Sequence, residues 1–310
     1  MTSETVLVTG SSGFIGFAVA RALAETGRDV VGLDPVSPAD EIPGVTAIGE
    51  RLGDVRQMSE LLRTRKIDTV VHTGGVSGPM LARDDPYSVC EANVIGTVNL
   101  IEAARLHRVR RFVTCSSAAA FGNTPPAPVP DDAPLRPINV YGATKGAGDL
   151  ILAAYRAQHG LDGISLRLSS VYGPGRQTDC AIRTMLSNAL AGRPTRFDWG
   201  IGHRRHYLFV SDAVAAVLSA IETARTEQFA YNIAGPDFVE MTRIGEYVSA
   251  LVPGAEITFG SGPDPLGYRR EELDISAASR DLGFGPQYGI DEGIAAYLTW
   301  FRDSGMLTST

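Results

Sequence analysis

The chain has 310 residues, 44% hydrophobic and 20% charged, the make-up of an ordinary soluble globular protein with enough apolar surface for a sizeable core. A net charge of −7 leaves no basic field for nucleic-acid backbones or anionic membranes, so both are excluded as main partners. Cys90, Cys115 and Cys180 lack metal-site spacing, as do His72, His107, His159, His203 and His206. With no basic leader and no apolar run of about 18 residues, the chain reads as cytoplasmic, with reduced thiols and no metal.

In chain order, the first expected strand is Thr5 to Thr9. TGSSGFIG follows, and then Phe14, Ile15, Ala18, Val19, Ala22 and Leu23 recur at helical spacing. The turn sets Gly10, Gly13 and Gly16 between strand and helix. Glycine there permits positive φ, lets backbone N–H groups approach a pyrophosphate and brings helix against strand, so the anion sits on the helix N-terminus beside Phe14 and Ile15. The spacing is GxxGxxG rather than GxGxxG, and among 34 glycines it also fits a plain turn.

The second strand, Asp29 to Leu33, leads into Asp34. Its carboxylate can accept hydrogen bonds from both hydroxyls of an adenosine ribose and would repel a 2′-phosphate. With no cation in Asp34-Pro-Val-Ser37, NAD is favoured over NADP. After a third strand, Val45 to Ile48, Asp54 and Val55 are placed for adenine contact, although Asp54 fits equally as the N-cap of a helix starting at Arg56. A fourth strand, Asp68 to His72, runs into HTGG, where Gly74 leaves room beside the cofactor. Pro86 to His107, which includes Asn93, keeps a helical period.

The fifth strand, Arg111 to Cys115, ends in SSAAAFG. Its two serines either cap a turn or face a substrate, and Phe121 reads as packing. The proline-rich TPPAPVPDDAPLRP is a loop. NVYGATKGAGDL then puts Tyr141 and Lys145 four residues apart on one helix face. A free tyrosine has a pKa of about 10, and a neighbouring ammonium favours its phenolate, which makes such a pair a usable base; an exposed pair on a helix has the same pattern. A sixth strand runs from Gly163 to Leu168.

Nearly continuous apolar strands alternating with helices predict an α/β fold, a Rossmann-type doubly wound parallel sheet. From about Gly173 the alternation becomes irregular, although HYLFVSD reads as strand and Ala213 to Ala224 as helix. This predicts a smaller, interleaved C-terminal substrate domain. The expected bounds are 1–172 with 204–229 for the nucleotide-binding domain, and 173–203 with 230–310 for the smaller one.

Glycine turn, acidic ribose anchor, strand-tip serines and YxxxK, in this order, resemble the extended short-chain dehydrogenase/reductase family, the NAD-dependent nucleotide-sugar epimerases and dehydratases. NVIGTVNLIEAAR, LRLSSVYGPG, RHYLFVSDAV, YNIAG and LDISAASRDLGF extend the resemblance over nearly the whole chain. It implies NAD as cofactor, held also by Asn93 and Val171. It further implies Tyr141 as general base and acid, Lys145 as its activating partner on the nicotinamide ribose, Ser117 on the substrate carbonyl, and a homodimer through the helices of Asn93 and Tyr141.

The resemblance also bears on the reaction. Related dehydratases carry an acidic pair just after the active-site Ser or Thr, and this chain has Ala118 and Ala119 there, which implies hydride transfer without dehydration. Ser77, Ser170, Arg205, Arg269 and Arg270 are the expected substrate contacts, with the loops Ser77 to Met80 and Gln177 to Cys180 shaping the pocket. The arginines suit a nucleotide diphosphate and equally a sugar-acid carboxylate, while Arg269-Arg270 beside Glu271-Glu272 also fits a solvated charge run. The leading reading is an epimerase that returns the hydride to the opposite face of a nucleotide sugar. HTGG and the altered LRLSSVYGPG segment keep a dehydrogenase of a free sugar or sugar acid as an alternative, and a non-catalytic dinucleotide sensor is a third.

Overall fold

The computed structural model describes residues 4–38, 40–78, 84–267 and 269–304; Met80, in one of the expected pocket loops, lies outside them. The N-terminal run is β1 (Thr5–Thr9), α1 (Phe14–Glu25), β2 (Asp29–Leu33), β3 (Val45–Ile48), α2 (Val55–Thr64) and β4 (Thr69–His72). Next come α3 (Pro86–Cys90), one π-helical turn (Glu91–Ile95), α4 (Gly96–Leu106), β5 (Arg111–Ser117), a 3₁₀ turn (Ala118–Phe121), α5 (Val140–His159) and β6 (Gly163–Leu168). The remainder is β7 (Ser170–Tyr172), α6 (Ala181–Leu190), β8 (Thr195–Gly200), β9 (Arg204–Phe209), α7 (Val210–Glu222), β10 (Ala230–Ile233), β11 (Phe238–Glu240), α8 (Met241–Leu251), β12 (Ile257–Gly260), α9 (Ser276–Leu282) and α10 (Ile290–Asp303).

Seven strands form one parallel sheet in the order β10-β6-β5-β4-β1-β2-β3. The chain builds outward from β1 in one direction through β2 and β3, then in the other through β4, β5, β6 and β10. The crevice at the carboxyl tips of β1 and β4 is therefore a topological switch point, where open α/β sheets bind ligands. One face of the sheet is sealed by α1 and α7, with Val19, Leu23, Val214 and Val217 in the core; the other is sealed by helices that contribute Met58, Leu62, Leu100, Ile101 and Leu152. Burial on both faces explains the unbroken apolar strands.

The smaller unit has a three-stranded sheet, β11-β9-β7, and a two-stranded one, β12-β8, packed with α6, α8 and α10 around Tyr172, Met185, Ile244, Ile294 and Phe301. Its expected bounds need correction. Residues 230–233 pair with β6 in the large sheet, and Ala277, Ala278 and Leu282 of α9 share the core of that sheet. β10 accepts this edge position because the proline-rich loop covers it, with Asn232 Nδ2 donating to Val129 O at 3.0 Å. Conversely, β9 belongs to the small sheet.

Element boundaries also differ. β5 continues through both serines. The long helix expected over residues 86–107 is interrupted by the π-helical turn, and the one expected from Ala213 starts at Val210. Among the described residues, no helix is long and apolar enough to cross a membrane.

Candidate active site

The strand tips open into a cleft of about 2380 Å³, beyond the usual 300–1,000 Å³ of a single small-ligand pocket, so it has room for a dinucleotide and a second molecule. Gly10, Gly13, Phe14, Ile15 and Gly16 line one end. Gly10 has φ +71, and a Cβ on it would stand 2.7 Å from Gly74 Cα; a Cβ on Gly16 would stand 2.5 Å from Thr73 Oγ1 and collide with Gly10 O. Both positions therefore require glycine, one for the turn and one for the close approach of α1 to β1.

Asp34 lies on the lip of the cleft. Its Oδ2 accepts from Ser12 N at 3.2 Å and its Oδ1 from Val36 N at 2.9 Å, which ties the carboxylate to the glycine turn and still leaves each oxygen a lone pair. Asp54 lines the cleft and is also the N-cap of α2, accepting from Gln57 N at 2.9 Å; Val55 does not line it. Gly74 lines the cleft, yet the expectation of added room is corrected: a Cβ there would meet Thr9 Oγ1 at 2.9 Å, and the Gly74 amide donates to that hydroxyl. The position is tight.

Tyr141 and Lys145 come from the first turns of α5, a helix opened by Asn139, whose Oδ1 accepts from Gly142 N at 2.8 Å, and closed by Gly160 at φ +71. Lys145 Nζ donates to Cys115 O at 3.0 Å and stands 6.0 Å from the centre of the Tyr141 ring. Burial pushes the Cys115 thiol up to about 12, so it stays neutral beside the ammonium and only its carbonyl is used. Ser117, at the tip of β5, both caps and faces the cleft: its Oγ accepts from Ala119 N at 3.1 Å while the residue lines the cavity with Tyr141 and Lys145. Ala118 and Ala119 are buried, and Phe121 packs under the Arg167 guanidinium at 5.0 Å.

Asn93 does not line the cleft. Its Oδ1 accepts from Val76 N at 2.7 Å, and its two amide protons go to Val76 O at 3.0 Å and Thr144 Oγ1 at 3.1 Å. Both protons being used within the protein, it organises the loop after β4 instead of donating to a cofactor.

Across the cleft lie Ser77, Ser170, Val171, Arg205 and Arg270. Arg205 is expected to meet a substrate anion. It lines the cleft with its side chain largely buried in the wall, ion-paired with Asp264 and 5.3 Å over the Trp199 ring. Arg270 lines the cleft, and burial, followed by the nearby Arg205 charge, pulls its pKa down to about 9. Arg269 is outside it: exposed, with its guanidinium 3.2 Å from Glu271, it matches the solvated charge run. Sequence reasoning missed Arg176, which holds its own loop by donating to Thr178 O at 3.1 Å and to Val171 O, and the aromatic wall of Phe197, Trp199, Tyr207 and Tyr288.

Comparison with known proteins adds three findings. The model of the NAD dependent epimerase/dehydratase family matches residues 6–234. The chain is 34% identical to a UDP-glucose 4-epimerase of Mycolicibacterium smegmatis, over 96% of this chain and 98% of that one, and 31% identical to a dTDP-glucose 4,6-dehydratase of Streptomyces griseus, over 96% and 94%. Among solved structures, MoeE5 in complex with UDP-glucuronic acid and NAD is 27% identical, with a TM-score of 0.86 over 97% of this chain and 100% of that one.

Proposed function

The chain belongs to the NAD dependent epimerase/dehydratase family, and from that premise we propose that it epimerises a nucleotide sugar by hydride transfer at a carbinol carbon, with Tyr141 as acid and base. The observation that carries this reading is the convergence of Ser117, Tyr141 and Lys145 on one cleft that also contains the glycine turn and Asp34. The residues fit a dinucleotide: a tight turn at the head of α1 in which neither Gly10 nor Gly16 has space for a Cβ, and a carboxylate at the tip of β2 with lone pairs left for ribose hydroxyls. Gly10, Gly13, Gly16 and Asp34 would hold NAD, which when bound supplies an acceptor and donor of hydride.

The side chains supply the proton work. Ser117 Oγ uses a lone pair on Ala119 N–H, which leaves its own proton for a substrate oxygen. Tyr141 takes the carbinol proton as the carbon is oxidised and returns it on reduction. Lys145, anchored on Cys115 O, holds a positive charge beside the phenol at each stage. Elimination of water needs a further acid and base near the carbon chain, and the methyl groups of Ala118 and Ala119 offer neither, so dehydration is left out of the reading.

One observation favours a second reading. Arg205 already neutralises the Asp264 carboxylate, which leaves less positive charge for a dianionic diphosphate, whereas the single carboxylate of a sugar acid requires less. The two readings separate in a panel of UDP-glucose, UDP-galactose, UDP-glucuronate and free uronates, followed for both epimer formation and NADH. Epimers without net NADH support the epimerase; steady NADH from a uronate selects the dehydrogenase. A homodimer is part of the proposal, supported by the exposed apolar side chains Tyr87, Ile95 and Leu150 around α3–α5, and a monomeric sedimentation profile at micromolar concentration would reject it.

A further inference from the structure

Thr9 closes β1 immediately before Gly10, and His72 closes β4. Asn93 lies in the π-helical turn, Thr97 is in the first turn of α4, and Thr144 follows Tyr141 on α5. All five side chains are buried, none more than 5% exposed. They form two hydrogen-bonded runs that meet at Asn93, the first ending on its main-chain carbonyl and the second starting from its side-chain amide. Gly74 N lies 3.2 Å from Thr9 Oγ1, which lies 2.8 Å from His72 Nδ1; His72 Nε2 lies 2.8 Å from Thr97 Oγ1, which lies 2.7 Å from Asn93 O. Asn93 Nδ2 lies 3.1 Å from Thr144 Oγ1, which lies 2.8 Å from the carbonyl oxygen of Tyr141 itself.

Counting protons fixes every direction. Asn93 O can only accept, so Thr97 spends its single hydroxyl proton there and must accept from His72, which places a proton on Nε2. The Gly74 amide can only donate, and Thr9 accepts it while giving its own proton to Nδ1 of a neutral imidazole. Thr144 likewise accepts from Asn93 and donates to Tyr141 O. Within each run every N–H and O–H points the same way, and the four-bond run from Gly74 to Asn93 O strengthens its members by mutual polarisation. A second proton on His72 would reverse the Thr9 bond and leave the Thr9 proton without an acceptor in the chain. Burial, and secondarily the Lys145 charge, pull the His72 pKa down to about 3, so the imidazole stays neutral under that ammonium.

We propose that His72 is a positioning residue for the hydride-transfer reaction: the tautomer-locked centre of a buried hydrogen-bond run that ties the glycine turn of β1 to Asn93, whose side-chain amide carries the link on to the Tyr141 end of α5. The inference rests on the hydride-transfer reading of this site. The role is mechanical, since His72 does not line the cleft and acts through Thr9 and Thr97.

His72→Phe, Thr97→Val, the double variant and His72→Gln test it by kcat and KM on the nucleotide sugar, and by hydrogen exchange of amides 140–146. Each single variant is expected to lower kcat about tenfold with KM within about twofold. The double variant is expected to lose no more than the worse single one, because a chain broken once is broken. His72→Gln, whose amide still reaches toward Thr97, recovers part of the loss. Normal kcat in folded His72→Phe, or losses that multiply in the double variant, overturn the proposal and leave the reaction standing. Should His72→Phe not fold, Thr97→Val carries the same comparison. If the wild type turns over no nucleotide sugar, the reaction reading fails and exchange decides alone: lost protection at 140–146 in Thr97→Val and His72→Phe supports the strut, and unchanged protection overturns it.

Discussion

At the cofactor end the groups are placed mainly by short stretches of chain, Gly10 and Gly16 by one turn and Tyr141 and Lys145 by one turn of α5, with Ser12 N and Cys115 O as the longer-range anchors of Asp34 and Lys145. At the substrate end the partners come from far apart. Arg205 on β9 meets Asp264 on the loop after β12, 59 residues later, and Arg270 reaches the cleft from a strap that docks against the proline-rich loop. The first end rests mainly on local backbone geometry; the second depends on how two sheets and their loops meet. This difference is why a fold of this kind keeps its cofactor chemistry while its substrate varies.

The largest expected effect lies at the first end. Tyr141→Phe should lower turnover by about 10²–10⁴-fold while NAD affinity, measured by calorimetric titration, stays within a few-fold. Loss of NAD binding in parallel with turnover would mean that Tyr141 serves the fold of the cofactor end instead. At the second end, Asp264→Ala leaves the buried Arg205 charge without its carboxylate and should cost about 3–5 kcal/mol in denaturant unfolding, whereas Arg269→Ala, on the solvent side of the same segment, should stay within about 0.5 kcal/mol. Equal effects would erase the distinction between the two arginine sites.

A smaller effect is expected at Asp34. Asp34→Ala removes the acceptor of Ser12 N and the charge that repels a 2′-phosphate, so NAD should weaken by about tenfold and the preference over NADP should narrow. Unchanged discrimination would place it elsewhere.

The same contrast governs how much the sequence discloses. The glycine turn, Asp34, Ser117 and the Tyr141–Lys145 pair are legible because their meaning depends on spacing within one strand, turn or helix. The His72 chain was not, since its members stand on β1, β4, α4 and α5 and each looks like an ordinary buried polar residue alone. Asn93 was legible as important but assigned the wrong partner: the π-helical turn and the Gly75 backbone at φ +127 bring Val76 to its amide, and nothing in NVIGTVNL announces either. Arg269 and Arg270 could not be told apart because their sides are set by the docking of the strap, where Arg269 N donates to Asn123 Oδ1 at 2.8 Å and Glu271 N to Thr124 Oγ1 at 2.9 Å. The bounds of the smaller domain failed for a related reason. Strand β10 is short and adjoins the small domain in sequence, and its place is set by pairing with β6 and by cover from the proline-rich loop, neither of which its own residues announce.

The central claim is that this cleft moves a hydride off one carbon and back onto it. The direct measurement is the fate of deuterium on the reacting carbon of a labelled nucleotide sugar, followed by NMR and mass spectrometry. The account predicts an epimer that keeps its label at the same carbon, with none in the solvent and no accumulation of NADH. Label found on a neighbouring position of a dehydrated product, or carried away on released NADH, would contradict it.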